Sequence, residues 1–384
     1  MGKKVLIVGG VAGGASVAAR VRRLDESAEI VMFERGPYVS FSNCCIPFHI
    51  SGDIEKSESL VLMTPPEFDK QYNIDARVYN EVVAINKEEK TVSVKNVQTG
   101  ETYEEAYDVL FLAPGANAVR PRSIAGIDSK HVFVMKTVPD VAALTAYTKA
   151  NEVKDVAVVG GGYIGLEVAE NLKMAGYNVS LIEAQDQIMA PLDYDMVQII
   201  NREIMKNGVD LILKDSVQAI GSDEVTLASG RTVKAQAVVM AIGVSPENAL
   251  AKQAGLELGV AGSIKVNHHY QTSNPHIYAV GDAIETTCFF TGQKTQLTLA
   301  GPAQRQARAA ADHVYGRTYL NTGVIGSSSV KMFGLNSANT GLNEKQCQAR
   351  GIAYDFAYII PKDKVSIMPG AENLFFKLIF SRST

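Results

Sequence analysis

At 384 residues, the chain exceeds the ~250–300 residues at which single hydrophobic cores stop growing, so two or three domains are expected. A formal net charge of −4 gives no electrostatic reason for a nucleic-acid or anionic-membrane partner. No apolar run approaches the ~18 residues of a membrane helix, and four cysteines are too few for a secreted disulfide framework, which points to a reducing cytoplasm.

Residues 4–9 form a β-branched run that enters Gly9-Gly10-Val11-Ala12-Gly13-Gly14. An Ala/Arg-rich helical stretch follows to about Leu24, then a second apolar run, Glu29–Phe33, closed by Glu34. This is the start of a βαβ unit, whose parallel crossover is right-handed. The two lysines ahead of the first run imitate a signal peptide, but the glycines behind it mark a buried strand. Residues 80–112 alternate as strands around a charged turn, Lys87-Glu88-Glu89-Lys90, and Val109–Leu112 runs into the turn Ala113-Pro114-Gly115. A second βαβ starts at Asp155, passes through Gly160-Gly161-Gly162-Tyr163-Ile164-Gly165 and ends at Val179–Glu183. Helical patterning covers Asp193–Asn207, and short strands lead to Val238–Ile242 and the breaker Gly243-Val244-Ser245-Pro246. Ile277–Val280 is a further buried strand ending at Gly281-Asp282, ahead of a helix over Pro302–Val314. From about Ile325 the pattern is strands and turns with aromatic residues.

The two glycine segments have the composition of dinucleotide cradles, in which backbone N–H groups face a pyrophosphate at a helix N-terminus. In the first, Gly9 and Gly14 fit the spacing G-x-G-x-x-G, but Val11 holds the middle position, where a side chain crowds the approach to phosphate. Glu34 stands where an acid binds a ribose hydroxyl. In the second, Gly160, Gly162 and Gly165 are all in register, and Glu183 follows at the strand end. An acid there repels a 2′-phosphate, and Ala184-Gln185-Asp186-Gln187 holds no cation to neutralise one, so NADH is expected over NADPH. The plain alternative for either segment is a strand–helix turn with no ligand.

With Ile277-Tyr278-Ala279-Val280-Gly281-Asp282-Ala283 added, the order of motifs resembles the FAD-dependent pyridine nucleotide-disulfide oxidoreductases over essentially the whole chain. The resemblance implies an α/β fold: two Rossmann-like dinucleotide-binding domains, the second inserted in the first, and an α+β C-terminal dimerisation domain. The implied boundaries are 1–115 and 244–322 for FAD, 116–243 for NAD(P)H, and 323–384 for dimerisation. The last domain looks truncated, and a homodimer is expected if it is complete. Cofactor contacts are implied at Gly9, Val11, Ala12, Gly14, Glu34, Arg35, Asn43, Val82, Ala113, Gly115, Gly160, Gly162, Tyr163, Ile164, Gly165, Glu183, Gly243, Gly281, Asp282 and Ala300. Among them, Glu34 is expected at the FAD ribose and Asp282 at the ribityl hydroxyls.

Ser40-Phe41-Ser42-Asn43-Cys44-Cys45-Ile46-Pro47 narrows the likeness to the single-cysteine branch, because no Cys-x4-Cys pair is present. That branch includes coenzyme A-disulfide reductases, persulfide or polysulfide reductases and NADH oxidases. By the same likeness Ser16, Arg20, Arg23, Ser40 and Asn43 fall where coenzyme A is contacted. Arg20 and Arg23 lie three apart on one helix face, which suits a phosphate. Their alternative is a solvated basic face shared with Arg22.

Cys44 is the expected redox residue. It is read as beginning a short helix with Pro47 in the first turn, whose N-terminus lowers the thiol pKa. Its oxidised form is a mixed disulfide with a thiol such as coenzyme A, a persulfide or a sulfenic acid. Cys45 is a silent residue or a resolving thiol, since neighbouring Cα atoms ~3.8 Å apart make a disulfide ring strained. Cys288 and Cys347 read as structural, and no Cys/His spacing suggests a metal. His268, His269 and His276 read as loop or strand-edge residues. Where the resembled group carries Tyr-Tyr-Pro-Gly, this chain reads Ile367-Met368-Pro369-Gly370, and Tyr354 and Tyr358 do not align. The expected activity is NADH-dependent, FAD-mediated reduction of a small-molecule disulfide, persulfide or polysulfide through Cys44. The rival expectations are an NADH oxidase working through a cysteine sulfenic acid, and a weakly active redox-sensing flavoprotein.

Overall fold

The computed structural model describes residues 2–318 and 321–382. Met1, Tyr319, Leu320, Ser383 and Thr384, which fall within the expected domain ranges, lie outside the described residues. The chain forms two compact units: Met1–Val119 with Met135–Thr145 and Gly243–Val324, and Arg120–Val134 with Ala146–Ile242 and Ile325–Thr384.

The first unit is built on a five-stranded parallel sheet ordered Ile277–Ala279, Val109–Leu112, Lys4–Val8, Glu29–Glu34, Asp75–Val78. Its central strands are buried along their length, as strands covered on both faces must be, with Leu6, Ile7, Met32, Phe33 and Phe111 at 0–1% exposure. Helix Ala12–Leu24 packs on helix Ala300–Val314 through small and β-branched side chains, among them Val17, Ala18, Val21, Ala307 and Ala311. A three-stranded antiparallel sheet, Asn80–Asn86, Thr91–Asn96 and Thr102–Ala106, has the charged turn 87–90 between its first two strands.

The second unit repeats the plan. Its parallel sheet is ordered Asp210–Leu213, Asn178–Glu183, Asp155–Val159, Ala237–Met240, Val132–Val134. Helix Tyr163–Met174 makes the crossover between the second and third of these strands. Two further hairpins, Ser328–Met332 with Leu335–Asn339 and Tyr354–Ile359 with Phe376–Ser381, belong to this unit. Between them lies helix Glu344–Ala349, where only strands and turns are expected from the sequence. Its signal is a capping box: Asn343 accepts from the Gln346 N–H, and the Gln346 side chain reaches back to the Asn343 N–H.

The last hairpin is held down on one face by Lys377, whose side chain is 4% exposed. Its ammonium meets Asp193 at 3.0 Å, Asp195 at 2.9 Å and Glu344, beneath the rings of Phe356 and Tyr358. Burial alone would lower the pKa of this lysine, but its hydrogen bonds to Glu344, Asp195 and Asp193 outweigh that and raise it. The opposite face presents Phe376, Leu378, Phe380 and Ile359, all exposed.

Candidate functional site

Both cradles are made by one backbone device. In the first, the Gly9 N–H donates to Phe33 O at 2.8 Å and the Ala113 N–H to Val8 O at 2.8 Å; in the second, Gly160 donates to Ile182 O at 2.8 Å and Ala241 to Val159 O at 2.7 Å. Gly9 and Gly160 turn the chain at φ +96° and +108°, the left-handed region that side chains resist. At the third glycine the helix meets the strand so closely that a Cβ on Gly14 would lie 1.8 Å from Gly9 O, and one on Gly165 1.9 Å from Gly160 O. The middle position differs: Gly162 faces open space, while Val11 sits at φ −104°, outside the left-handed region that calls for glycine.

The acids are anchored alike. Glu34 accepts from the Gly10 N–H at 3.1 Å and the Gly36 N–H at 2.9 Å. Glu183 accepts from the Gly161 N–H and the Gln185 N–H, both at 2.7 Å. Each carboxylate is thus fixed by its own cradle at the end of the following strand.

The helices that open at these cradles are left without side-chain caps. Val11 and Gly162 make no capping hydrogen bond, nor does Leu299 ahead of helix Ala300–Val314, and none of the three helices has an acid in its first turn. By contrast, helix Pro65–Tyr72 is capped by Thr64 and Glu67, and helix Glu344–Ala349 by Asn343. Uncapped N-termini keep their N–H groups and the positive end of the dipole for an anion or acceptor.

Beside the first cradle, Glu34, Arg35, Val82, Pro114 and Glu247 help line a cavity of about 480 Å³. Arg35 reaches Glu247 at 3.5 Å, and Gly115 turns the strand end at φ +76°. Gly243, at φ +116°, accepts from the Val119 N–H at 3.0 Å through its carbonyl.

The cysteine loop belongs to this same unit. The Ser40 N–H donates to Gly10 O at 2.7 Å, the Leu62 N–H to Ser40 O at 2.8 Å and the Ser42 N–H to Leu60 O at 2.9 Å. Ser40 itself is held at φ +49°, an uncommon conformation of the kind that collects at functional sites. Cys44 is exposed and Cys45 half-buried. The expected helix start at Cys44 is not seen. Residues Asn43–Cys45 make a single 3-10 turn, and the α-helix, Phe48–Ser51, begins after Pro47. The ring of Pro47 fixes φ at −60° for a helix start at that point, so the one-turn helix places its N-terminus beyond the cysteine.

Asp282 lies in a one-turn 3-10 segment after the left-handed Gly281, whose N–H donates to Gln306 at 2.8 Å. Burial raises the Asp282 carboxyl pKa, and Lys136, 3.8 Å away, draws it back. The main chain of Lys136 also accepts from Asn43 Nδ2 at 3.0 Å, so this lysine joins the cysteine loop to Asp282. Sequence reasoning missed it, because Met135-Lys136-Thr137 sits in no motif.

Among the expected coenzyme contacts, Ser16 is half-buried and Arg23 exposed. Arg20 already has a carboxylate partner, with Nε 2.9 Å from Asp312. Arg22 is not on a solvated basic face: it donates to the carbonyls of Tyr72, Asp25, Glu26, Ala28 and Asn73. Within the second unit, Ile164 is exposed next to Tyr163, and Ile367 and Met368 are exposed in the final hairpin's connection. Tyr354 bonds Glu344 at 2.8 Å. In the first unit, His269 stacks on His313 at 4.1 Å.

Residues 3–307 match the family model described as pyridine nucleotide-disulphide oxidoreductase. The coenzyme A disulfide reductase of Staphylococcus epidermidis is 33% identical over 382 residues, covering 99% of this chain and 86% of that protein. The crystal structure of reduced CoADR-RHD from Bacillus anthracis superposes with a TM-score of 0.97 at 46% identity, covering 99% of this chain and 69% of that one. An NAD-dependent persulfide reductase from A. fulgidus gives a TM-score of 0.95 at 30% identity, covering 99% and 71%.

Proposed function

The chain belongs to the pyridine nucleotide-disulphide oxidoreductase family, and from that membership we propose that it reduces a disulfide or persulfide of coenzyme A type at Cys44, with NADH as donor. It is a flavin-dependent NAD(P)H oxidoreductase of α/β fold, using FAD and a nicotinamide cofactor. Among the described residues no helix is long and apolar enough to cross a membrane.

The residues fit these groups. The first cradle, its anchored Glu34 and the adjoining cavity suit the adenosine and pyrophosphate of FAD. The uncapped N-terminus at Ala300 and the Asp282–Lys136 pair suit the ribityl and ring portions. When bound, FAD supplies two-electron transfer between a hydride donor and sulfur. The second cradle suits the nicotinamide dinucleotide, with Glu183 accepting from a ribose 2′-hydroxyl and repelling a 2′-phosphate.

The observation that carries the substrate reading is Cys44: an exposed thiol on a loop hydrogen-bonded to the first cradle, with His49 rather than a second cysteine at the partner position of a Cys-x4-Cys pair. Its thiolate attacks one sulfur of R–S–S–R′, forming a mixed disulfide and expelling R′–S⁻. Two electrons originating in NADH then cleave the mixed disulfide, releasing R–S⁻ and restoring the Cys44 thiolate. The sum is NADH + H⁺ + RSSR′ → NAD⁺ + RSH + R′SH. Lys136 offers a fixed cation on the segment that Asn43 holds beside this loop, and Cys45 stays silent. Arg23, with Ser16 on the same helix, is offered to the anionic end of the substrate, whereas Arg20 holds Asp312. The apolar face of Phe376, Leu378 and Phe380 supports a homodimer.

The test is anaerobic NADH oxidation by FAD-loaded protein with coenzyme A disulfide, a coenzyme A persulfide or polysulfide, against an oxygen-only control. Turnover with a sulfur acceptor far above the oxygen rate is expected. Activity with oxygen alone would replace this reading with an oxidase.

A further inference from the structure

We infer that Gln306 is a positioning residue that presets the turn bearing Asp282 for the flavin's ribityl chain. The inference rests on the assignment of the first cradle and Asp282 to FAD and is independent of the electron acceptor.

Along its buried face, helix Ala300–Val314 carries small apolar residues, among them Ala303, Ala307 and Ala310, and one amide, Gln306, at 3% exposure. A buried amide is unfavourable unless it is hydrogen-bonded. The partner here is the Gly281 N–H, which donates to Gln306 Oε1 at 2.8 Å. A backbone N–H can only donate, so the oxygen of the amide must be the atom that faces the turn. Ala303 lies three residues earlier and so on the same helix face. Its small side chain lets the turn come close: a Cβ on Gly281 would stand 3.7 Å from Ala303 Cβ.

The turn stands where the strand ends meet the first cradle. The Val280 N–H donates to Leu112 O at 3.0 Å, and Val280 Cγ2 lies 3.3 Å from the place a Cβ on Gly13 would take, in the opening turn of the cradle's helix. Parallel α/β sheets bind their ligands at these carboxyl ends. Gly281 leaves the strand at φ +81°, and Gly281–Ala283 form the 3-10 turn that carries Asp282. Gln306 therefore fixes the direction in which the chain departs, and with it the backbone of Asp282, before any ligand binds. Without the amide oxygen a buried N–H would lose its acceptor, and the turn would have to move to find another. Preorganising a binding group in this way lowers the entropy lost when the ligand binds.

The experiment is a fluorescence titration of the full chain, freed of flavin, with FAD, and a parallel titration with ADP, which probes the cradle alone. The proteins compared are wild type, Gln306→Met, Asp282→Ala and the double variant Gln306→Met/Asp282→Ala. Methionine fills the volume of the glutamine without supplying the acceptor. Gln306→Met should raise the FAD dissociation constant about tenfold and leave that of ADP at the wild-type value. The double variant should bind FAD no more weakly than Asp282→Ala, because Gln306 acts through Asp282. A further measurement needs no variant: in the flavin-free wild type the Gly281 amide should exchange its hydrogen slowly, since its acceptor is a side chain of the protein. Unchanged FAD affinity in Gln306→Met, equal losses for FAD and ADP, additive losses in the double variant, or fast exchange at Gly281 would overturn the inference. Wild type that binds neither FAD nor ADP would show that the cradle assignment has failed and would take the inference with it. A failure of the sulfur-acceptor reading would leave every one of these results untouched, since no acceptor takes part.

Discussion

Replacing Glu167 by glutamine should make the second unit more stable above neutral pH and leave it unchanged in acid. Glu167 lies one turn past Tyr163 on the second cradle's helix and is half-buried. Burial, reinforced by the neighbouring charge of Glu170, raises its carboxyl from an ordinary 4.5 to about 7. Such a group binds its proton more readily folded than unfolded. Its contribution is therefore complete below pH 4.5 and is lost as pH climbs through about 7. The gap corresponds to roughly 3 kcal/mol at ~1.4 kcal/mol per tenfold, trimmed to about 2–3 kcal/mol by solvent around the part-exposed carboxylate. Glutamine keeps the shape and removes the titration. At about pH 8 the variant should melt roughly 5–10 °C higher than wild type, with the two curves meeting at about pH 4.5. Differential scanning calorimetry across that range is the assay. Parallel melting curves at every pH would show that Glu167 is solvated as an ordinary carboxylate and would refute the reasoning.

Cys44→Ser should abolish turnover with any sulfur acceptor yet preserve anaerobic bleaching of the flavin by NADH; persistent disulfide turnover would remove Cys44 from the chemistry. Glu183→Arg should shift the kcat/KM ratio toward NADPH by roughly 10–100-fold, because a carboxylate anchored by two N–H groups is replaced by a cation. Gly14→Ala places a Cβ 1.8 Å from Gly9 O, so it should cost at least ~3 kcal/mol and release FAD, read by flavin content after gel filtration. Burial and then His269 lower the His313 pKa, so the unfolded chain binds the proton more readily and stability is lost as pH falls through the histidine range. His269→Gln should lessen the loss of melting temperature between about pH 7 and pH 5.5; an identical loss would separate the stack from acid sensitivity.

The cradles were legible in the chain because what they require is local. A left-handed turn at Gly9 and Gly160, and no room for Cβ at Gly14 and Gly165, admit few residues other than glycine, and they recur at fixed spacing before an acid. The buried parallel strands announced themselves through continuous β-branched runs. Short-range signals fail where two structures compete over a few residues: the pattern around Cys44 suggests a helix start that Pro47 puts beyond it, and the capping box at Asn343 lies in a stretch whose pattern otherwise reads as strands and turns.

What tertiary structure alone decided is the company each side chain keeps. Arg20 meets Asp312 across 292 positions, and Tyr163 meets Ser328 across 165. Lys136 stands by Asp282, and Lys377 by three acids that would otherwise repel one another. Backbone sterics act between neighbours and leave a pattern in the sequence. Charge pairing and hydroxyl contacts act between elements, and no local pattern records which elements the sheets will bring together.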